Sequence, residues 1–385
     1  MSCVLDPLSS NMIMASTTTL LAHHWLFEPR GGERVLAELA GLFPGAPILT
    51  AFKATRGDRW PSGVVEMLPR ARASRLQPLY RASLGLPPLQ ALLLPLLPWA
   101  MRRSFNTELA TANRLVISDA GLAKTLTLET DAPAHVYLHT PMRHIWHDSE
   151  QTLARLPRAL RSAGRMLITE LREADRQAAA NISSWRANSC TTARRAAEAY
   201  NLPEKTFPVL HPPIGLPDRP AVAGSRTGLL VVSGMQPYKN DALAIETANR
   251  LRLPLTVAGR GPEFHRLQSL AGPTVRLLGY RDDVQIDVLY RTHEALLFCG
   301  AEDFGIVPLE AIARGCPVVA LGRGGALETI EPGLSGLFFP EPSLDALAVG
   351  IEACRAQAWD PGAMQISASR FNPARFRNGV QRWLD

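Results

Sequence analysis

Between residues 228 and 339 the chain alternates short apolar runs with stretches of helical length, a rhythm that few folds other than a parallel, doubly wound sheet can accommodate. The runs 229–233, 255–258, 275–278, 295–298, 317–320 and 336–339 read as buried strands. The stretches 241–251, 262–270, 284–291, 307–314 and 325–330 between them read as helices. The first half repeats the pattern less tidily, with strands expected at 20–25, 47–51, 115–118, 136–138 and 185–187 and a long helix around 153–179. The expected fold class is therefore α/β, with two Rossmann-like doubly wound domains. Their join falls near His211-Pro212-Pro213-Ile214-Gly215, and the linker continues through Pro217, Pro220 and Gly224. The boundaries read as 1–215 and 216–369, and a closing helix at about 370–385 is expected to pack back onto the first domain.

A length of 385 residues exceeds what one hydrophobic core usually serves, which agrees with two domains. The five cysteines, Cys3, Cys190, Cys299, Cys316 and Cys354, are scattered, with no CxxC pair and no histidine at ligand spacing. They point to a reducing, cytoplasmic compartment and away from a zinc site. Residues 1–19 lack the basic start and continuous apolar core of a signal peptide, and Met12 or Met14 is an alternative start. The net charge of +6 is concentrated: residues 53–114 hold ten Lys or Arg against Asp58, Glu66 and Glu108. Within them lies 84–101, nearly all apolar and closed by Arg102-Arg103, but Pro87, Pro88, Pro95 and Pro98 break any spanning helix. Two readings stand for it: a surface-seeking segment that places the protein peripherally on the inner face of a membrane, or a buried helix. Nucleic acid is not an expected partner, because these arginines are not interleaved with stacking aromatics.

Ligands of doubly wound sheets sit beyond the carboxyl ends of the strands, so the informative loops are the ones found there. They carry Gly234-Met235-Gln236-Pro237-Tyr238-Lys239, Gly259-Arg260-Gly261-Pro262, Glu302-Asp303-Phe304-Gly305-Ile306-Val307-Pro308-Leu309-Glu310 and Gly322-Arg323-Gly324-Gly325. Each offers a cation, or glycine backbone beside a helix start, to an anionic ligand. In the third, two carboxylates flank a Phe-Gly turn that opens into a helix with Pro308 in its first turn. No GxGxxG follows the first strand and no GxxxxGK[ST] exists, so neither NAD nor a P-loop is indicated.

These residues, together with His23-His24-Trp25, Arg30-Gly31-Gly32-Glu33-Arg34, His139-Thr140-Pro141-Met142-Arg143 and Gly322-Arg323-Gly324-Gly325-Ala326-Leu327-Glu328-Thr329, give the chain its resemblance to a family. Over nearly its whole length it resembles a family-4 retaining glycosyltransferase of the GT-B fold, in particular the bacterial mannosyltransferase-like branch. The resemblance implies two domains facing across a cleft. It implies that Glu310 holds the nucleotide ribose, Glu302 the donor-sugar hydroxyls and Lys239 the diphosphate. The backbone of Phe304, Gly305 and Ile306 would cradle that diphosphate, Gly31 and Gly32 would approach it from the opposite domain, and His139 would lie by the transferred sugar. No metal and no cofactor are expected beyond a GDP- or UDP-linked donor. One departure matters: Gly234 stands where this branch usually has an arginine. Arg260 is the first candidate to replace that charge, with Arg143 and Arg323 behind it. His147-Asp148 also stands where an aromatic-acid pair more often follows the histidine motif.

The expected function is transfer of a hexose, mannose from GDP-mannose above all, onto a glycan or lipid-linked acceptor in cell-surface polysaccharide synthesis. The rivals are a nucleotide-sugar epimerase of the same fold and a catalytically impaired, nucleotide-sugar-binding partner of an active transferase.

Overall fold

The computed structural model describes residues 18–27, 31–53, 62–82, 93–154, 156–222 and 224–385. Two six-stranded sheets, every pairing parallel, build two domains. The first holds β1 (Thr19–His23), β2 (Ile48–Thr50), β3 (Ala71–Ala73), β4 (Arg114–Asp119), β5 (Ala134–Leu138) and β6 (Ser184–Ala187) in the order β3-β2-β1-β4-β5-β6. The second holds β7 (Leu229–Val232), β8 (Leu255–Ala258), β9 (Val275–Gly279), β10 (Ala295–Phe298), β11 (Val318–Leu321) and β12 (Gly336–Phe339) in the order β12-β11-β10-β7-β8-β9.

Strand residues are buried on both faces, which is why they read as unbroken apolar runs. In β10 the side chains of Ala295 and Leu297 enter one core, while Leu296 and Phe298 enter the core on the other face. In β1, Leu20 and Ala22 face one core and Leu21 the opposite one. Each sheet therefore needs helices on both sides.

The closing helix Pro373–Leu384, started by Asn372 accepting the Arg375 N–H at 2.8 Å, leaves the second domain and joins the first. Phe376, Val380, Trp383 and Leu384 pack with Leu21, Leu36, Ile48 and Tyr137, and Trp383 donates to Ser184 Oγ at 2.7 Å.

Two sequence expectations change. The strand Ala71–Ala73 was not expected, since three residues around Arg72 give no apolar run. The long helix around 153–179 is divided into Ser149–Ala154, a 3-10 turn Arg158–Leu160 and Arg161–Ala180, the break falling at Pro157, whose ring cannot continue a helix. Of the segment 84–101, residues 84–92 lie outside the described residues. From Leu97 a helix runs to Ala110 and buries Leu97, Ala100, Met101, Phe105 and Leu109 in the first core, while Leu96 and Trp99 remain exposed. Met12, Met14, Arg30, Pro87 and Pro88 also lie outside the described residues. No described helix is long and apolar enough to cross a membrane.

Candidate active site

The carboxyl ends of the two sheets face each other, and the loops there meet. On the second domain, β10 runs into the double-glutamate turn. Gly305 takes φ 105°, a left-handed conformation that a side chain disfavours, and starts the helix Ile306–Ile312 on which Glu310 sits. The loop after β11 packs directly on this turn. Gly325 donates its N–H to Glu302 O at 2.9 Å, and a Cβ there would collide with Phe304 Cα, so only glycine fits.

Lys239, in the turn after β7, reaches Glu302 Oε1 at 2.5 Å. Burial, the largest single influence, opposes its charge, but Glu302 together with Tyr238 and Asp241 prevails and holds the ammonium above its usual range. Glu310 faces the first domain. Arg34 donates to its Oε1 at 2.7 Å and Tyr290 to its Oε2 at 3.3 Å, while the other arm of Arg34 reaches Asp283 at 2.9 Å. The helix Gly31–Leu42 that carries Arg34 begins against the turn: a Cβ on Gly31 would collide with Ile306 Cδ1.

Across the cleft, His139 follows β5. Its Nε2 lies 2.8 Å from Ser118 Oγ, which in turn lies 3.1 Å from His23 Nδ1, forming a buried histidine-serine-histidine chain. Burial pushes the His139 imidazole down to about 4, with Asp119 and Asp303 only partly opposing, so it is neutral at neutral pH. The His23 imidazole is pushed well down too, by burial first and then by His24 and His139. His23 Nε2 is buried with no hydrogen-bond partner among the described residues. Gly32 is the neighbour of both rings, its absent Cβ 3.6 Å from His139 Nε2 and from His23 Cε1.

Behind this chain, Lys124 is fully buried between Asp119 at 2.7 Å and Asp175 at 2.8 Å. Asp119 also accepts the N–H groups of Gly121 and Ala123, which fixes the loop that leaves β4 beside Ser118.

Further contacts tie the domains together around the site. Asp303 accepts from Thr140 at 3.2 Å, from Arg143 at 2.6 and 3.2 Å, and from Arg195. Glu328 accepts the backbone N–H groups of Cys190 and Thr191 at 2.8 and 3.2 Å and lies 3.2 Å from His211 Nε2. Burial raises the Glu328 carboxyl, but those three donors prevail and hold it below its usual range. The Arg143 guanidinium also lies 4.3 Å from the centre of the Tyr238 ring, next to Lys239.

The fold thus gathers His139, Gly31, Gly32 and Arg143 against Lys239, Glu302, Phe304, Gly305, Ile306 and Glu310. Arg260 stands apart. It is exposed, with its guanidinium 5.9 Å from the Phe264 ring centre and no ion pair among the described residues. Arg323 is exposed as well. Gly234 borders open space, with no atom within 4 Å of where its Cβ would be.

Sequence reasoning left Arg34, Asp303 and Glu328 without roles although all three stand in the strings it singled out. Ser118 and Arg195 carried no signal, because nothing but the fold brings them to the site. Among the described residues no three His, Cys, Asp or Glu side chains form a metal-ligating group.

Two six-stranded parallel sheets facing each other through their carboxyl ends are the GT-B fold, and residues 218–356 match the family of glycosyl transferases group 1. The matched stretch falls on the second domain, spanning its six strands from Leu229 to Phe339. The chain is 29% identical to human alpha-1,3/1,6-mannosyltransferase ALG2 over 191 residues, 42% of this chain and 45% of that protein. It is 29% identical to D-inositol 3-phosphate glycosyltransferase of Geodermatophilus obscurus over 257 residues, 58% and 56% of the two chains. These alignments span about half of the relatives' own lengths. Among solved structures, Anabaena HepE in complex with UDP-glucose superposes with a TM-score of 0.67 at 17% identity, covering 95% of this chain and 99% of that one.

Proposed function

We propose that this protein is a retaining, metal-independent glycosyltransferase of family 4 that moves a hexose from a nucleotide donor to a glycan or lipid-linked acceptor in cell-surface polysaccharide synthesis. The observation that carries the reading is the Lys239–Glu302 pair, set at the Gly305 turn and facing the neutral His139 across the cleft. A cation beside the leaving diphosphate stabilises the negative charge that grows there in the transition state, and such fixed electrostatic stabilisation is commonly what lowers an enzymatic barrier most. Glu302 then orients donor-sugar hydroxyls and Glu310 the ribose, while Phe304, Gly305 and Ile306 offer backbone to the diphosphate.

Retaining glycosidases place a nucleophilic carboxylate close to the second carboxyl group. None is assigned on the His139 side, and the reaction proposed is a front-face displacement. The bond from the anomeric carbon to the diphosphate oxygen breaks as the acceptor oxygen bonds to the same face. The departing diphosphate takes the acceptor's proton. His139, uncharged, contributes polarity without adding a positive charge next to the developing sugar cation.

Mannose from GDP-mannose is the favoured donor, supported by the mannosyltransferase relative; the UDP-glucose held by the Anabaena neighbour makes UDP-sugars the necessary comparison. Peripheral contact with the inner face of a membrane is part of the proposal. It is supported by exposed Leu79, Leu96 and Trp99 beside exposed Arg81 and Arg103 within the basic stretch 53–114. A thermal-shift panel of GDP-, UDP- and ADP-sugars tests the donor assignment: a shift with GDP-mannose alone supports it, and a shift confined to UDP-sugars rejects mannose from GDP-mannose. A second reading, an impaired nucleotide-sugar-binding partner, is favoured by the open space at Gly234 where an arginine would stand. Donor binding without turnover over any acceptor would select it.

A further inference from the structure

Asp303 sits between Glu302 and Phe304 on the second domain, yet among the described residues every side-chain hydrogen bond it makes comes from the first: Thr140, Arg143 and Arg195. Its backbone carbonyl continues the link by accepting from Ser189 Oγ at 2.5 Å. Ser189 Oγ accepts the Thr192 N–H at 3.0 Å, and Thr192 Oγ1 donates to the carbonyl of His139 at 3.0 Å. The path closes on itself, because Thr140 follows His139 in the chain. A ring of contacts therefore runs from the turn that presents Glu302 to the strand end that presents His139. Arg143 adds a third tie by lying over Tyr238, the neighbour of Lys239.

Exposed ion pairs contribute little, being screened by water and costly in side-chain freedom. This one is different in setting. The side chains of Asp303, Arg143 and Arg195 are only 15%, 16% and 21% exposed, so the charges are screened less, and removing the carboxylate leaves two guanidinium groups converging on an empty place.

We propose that Asp303 is a positioning residue for the transfer: by pairing Arg143, Arg195 and Thr140 it docks the two domains so that His139 stands opposite the Lys239–Glu302 pair. The role rests on the glycosyl-transfer reading. It makes no bond to the reacting atoms. Its effect is to fix the distance between halves of the site that belong to different domains, where a small misplacement is costly in rate.

The test is Asp303→Asn in the full chain, which keeps the side-chain shape and removes the charge. Three quantities are read: turnover, calorimetric affinity for GDP and for UDP, and the solution radius of gyration by X-ray scattering. Because the proposed nucleotide seat belongs to the second domain, kcat should fall about tenfold or more while nucleotide affinity stays within about threefold. The radius of gyration should rise as the cleft opens. Arg195→Gln, which leaves Asp303 itself intact, should likewise lower kcat and raise the radius of gyration while sparing nucleotide affinity, and it stands in if Asp303→Asn does not fold. An unchanged kcat, or parallel losses of kcat and nucleotide affinity, overturns the proposal. Scattering needs no turnover, so a wild-type chain without transferase activity defeats the functional reading alone. An unchanged radius of gyration in both variants then defeats the clamp.

Discussion

Glu310 and Lys239 each meet the cleft through a polar side chain, with partners in Arg34 and Tyr290 for the first and Glu302 for the second. On the proposed reading, replacing either by alanine removes a contact to the leaving nucleotide and little packing. Glu310→Ala and Lys239→Ala should each lower donor turnover about tenfold or more, roughly 1.4 kcal/mol of barrier, with the folded state retained by circular dichroism. Near wild-type turnover in both would reject the site. Gly234 has room for a side chain, so Gly234→Arg should fold and raise turnover. If Arg260 replaces the missing cation, Arg260→Ala should cost far more turnover than a surface arginine. Gly234→Arg should then recover part of the loss, the non-additivity being the signature of groups sharing one anion. Arg260 has no ion pair to lose among the described residues, so unchanged kinetics in Arg260→Ala would turn attention to Arg143. His139 titrates at about 4 in the folded chain against about 6.5 in an unfolded one. A depressed folded value means that the unfolded state takes up the proton first, so the stability tied to the neutral ring is complete above pH 6.5. It is lost as pH falls toward 4, at about 1.4 kcal/mol per pH unit. Denaturant titrations of wild type and His139→Gln from pH 7 to 4 should show the shallower dependence in the variant, and parallel curves would contradict the buried, neutral assignment.

The helix Gly31–Leu42 crosses to the second domain through Arg34, which occupies an oxygen of the carboxylate proposed for the ribose. A ribose hydroxyl that donates to that oxygen competes with the guanidinium. Arg34→Ala should therefore tighten binding of the free nucleoside diphosphate, read by calorimetry, and weaker binding would mean that Arg34 helps to hold the nucleotide instead. The strands of the second domain were legible almost to the residue, because β8, β10 and β12 are short apolar runs between polar helices. The first domain was less legible. Its strand Ala71–Ala73 carries a central arginine and belongs to the sheet only by pairing with β2. Pro157 marked the break in the helix expected around 153–179, but the apolar periodicity on either side hid it. The site followed the same division. Lys239, Glu302 and Glu310 lay in strings whose chemistry was visible locally, whereas Ser118, Asp303 and Arg195 act through partners 21, 160 and 108 residues away. No local pattern encodes such distances.

At the scale of the molecule, two sheets of six strands face one another, and the closing helix Pro373–Leu384 from the end of the chain completes a core of the first domain. The Arg34–Glu310 pair, the Asp303 group and the bonds of Glu328 to Cys190 and Thr191 all cross between domains, so the chemistry proposed depends on how the halves meet. The central claim is that this cleft transfers a sugar from a nucleotide donor with Lys239, rather than a divalent ion, stabilising the departing diphosphate. It is tested most directly by nucleoside diphosphate release from GDP-mannose and UDP-glucose, with a lipid-linked glycan extract as acceptor, in excess EDTA, for wild type and Lys239→Ala side by side. The account predicts acceptor-dependent release from one of the donors that persists in EDTA and falls about tenfold or more in the variant. Release that vanishes with the chelator and returns with manganese, or that is equal in the two proteins, would contradict it.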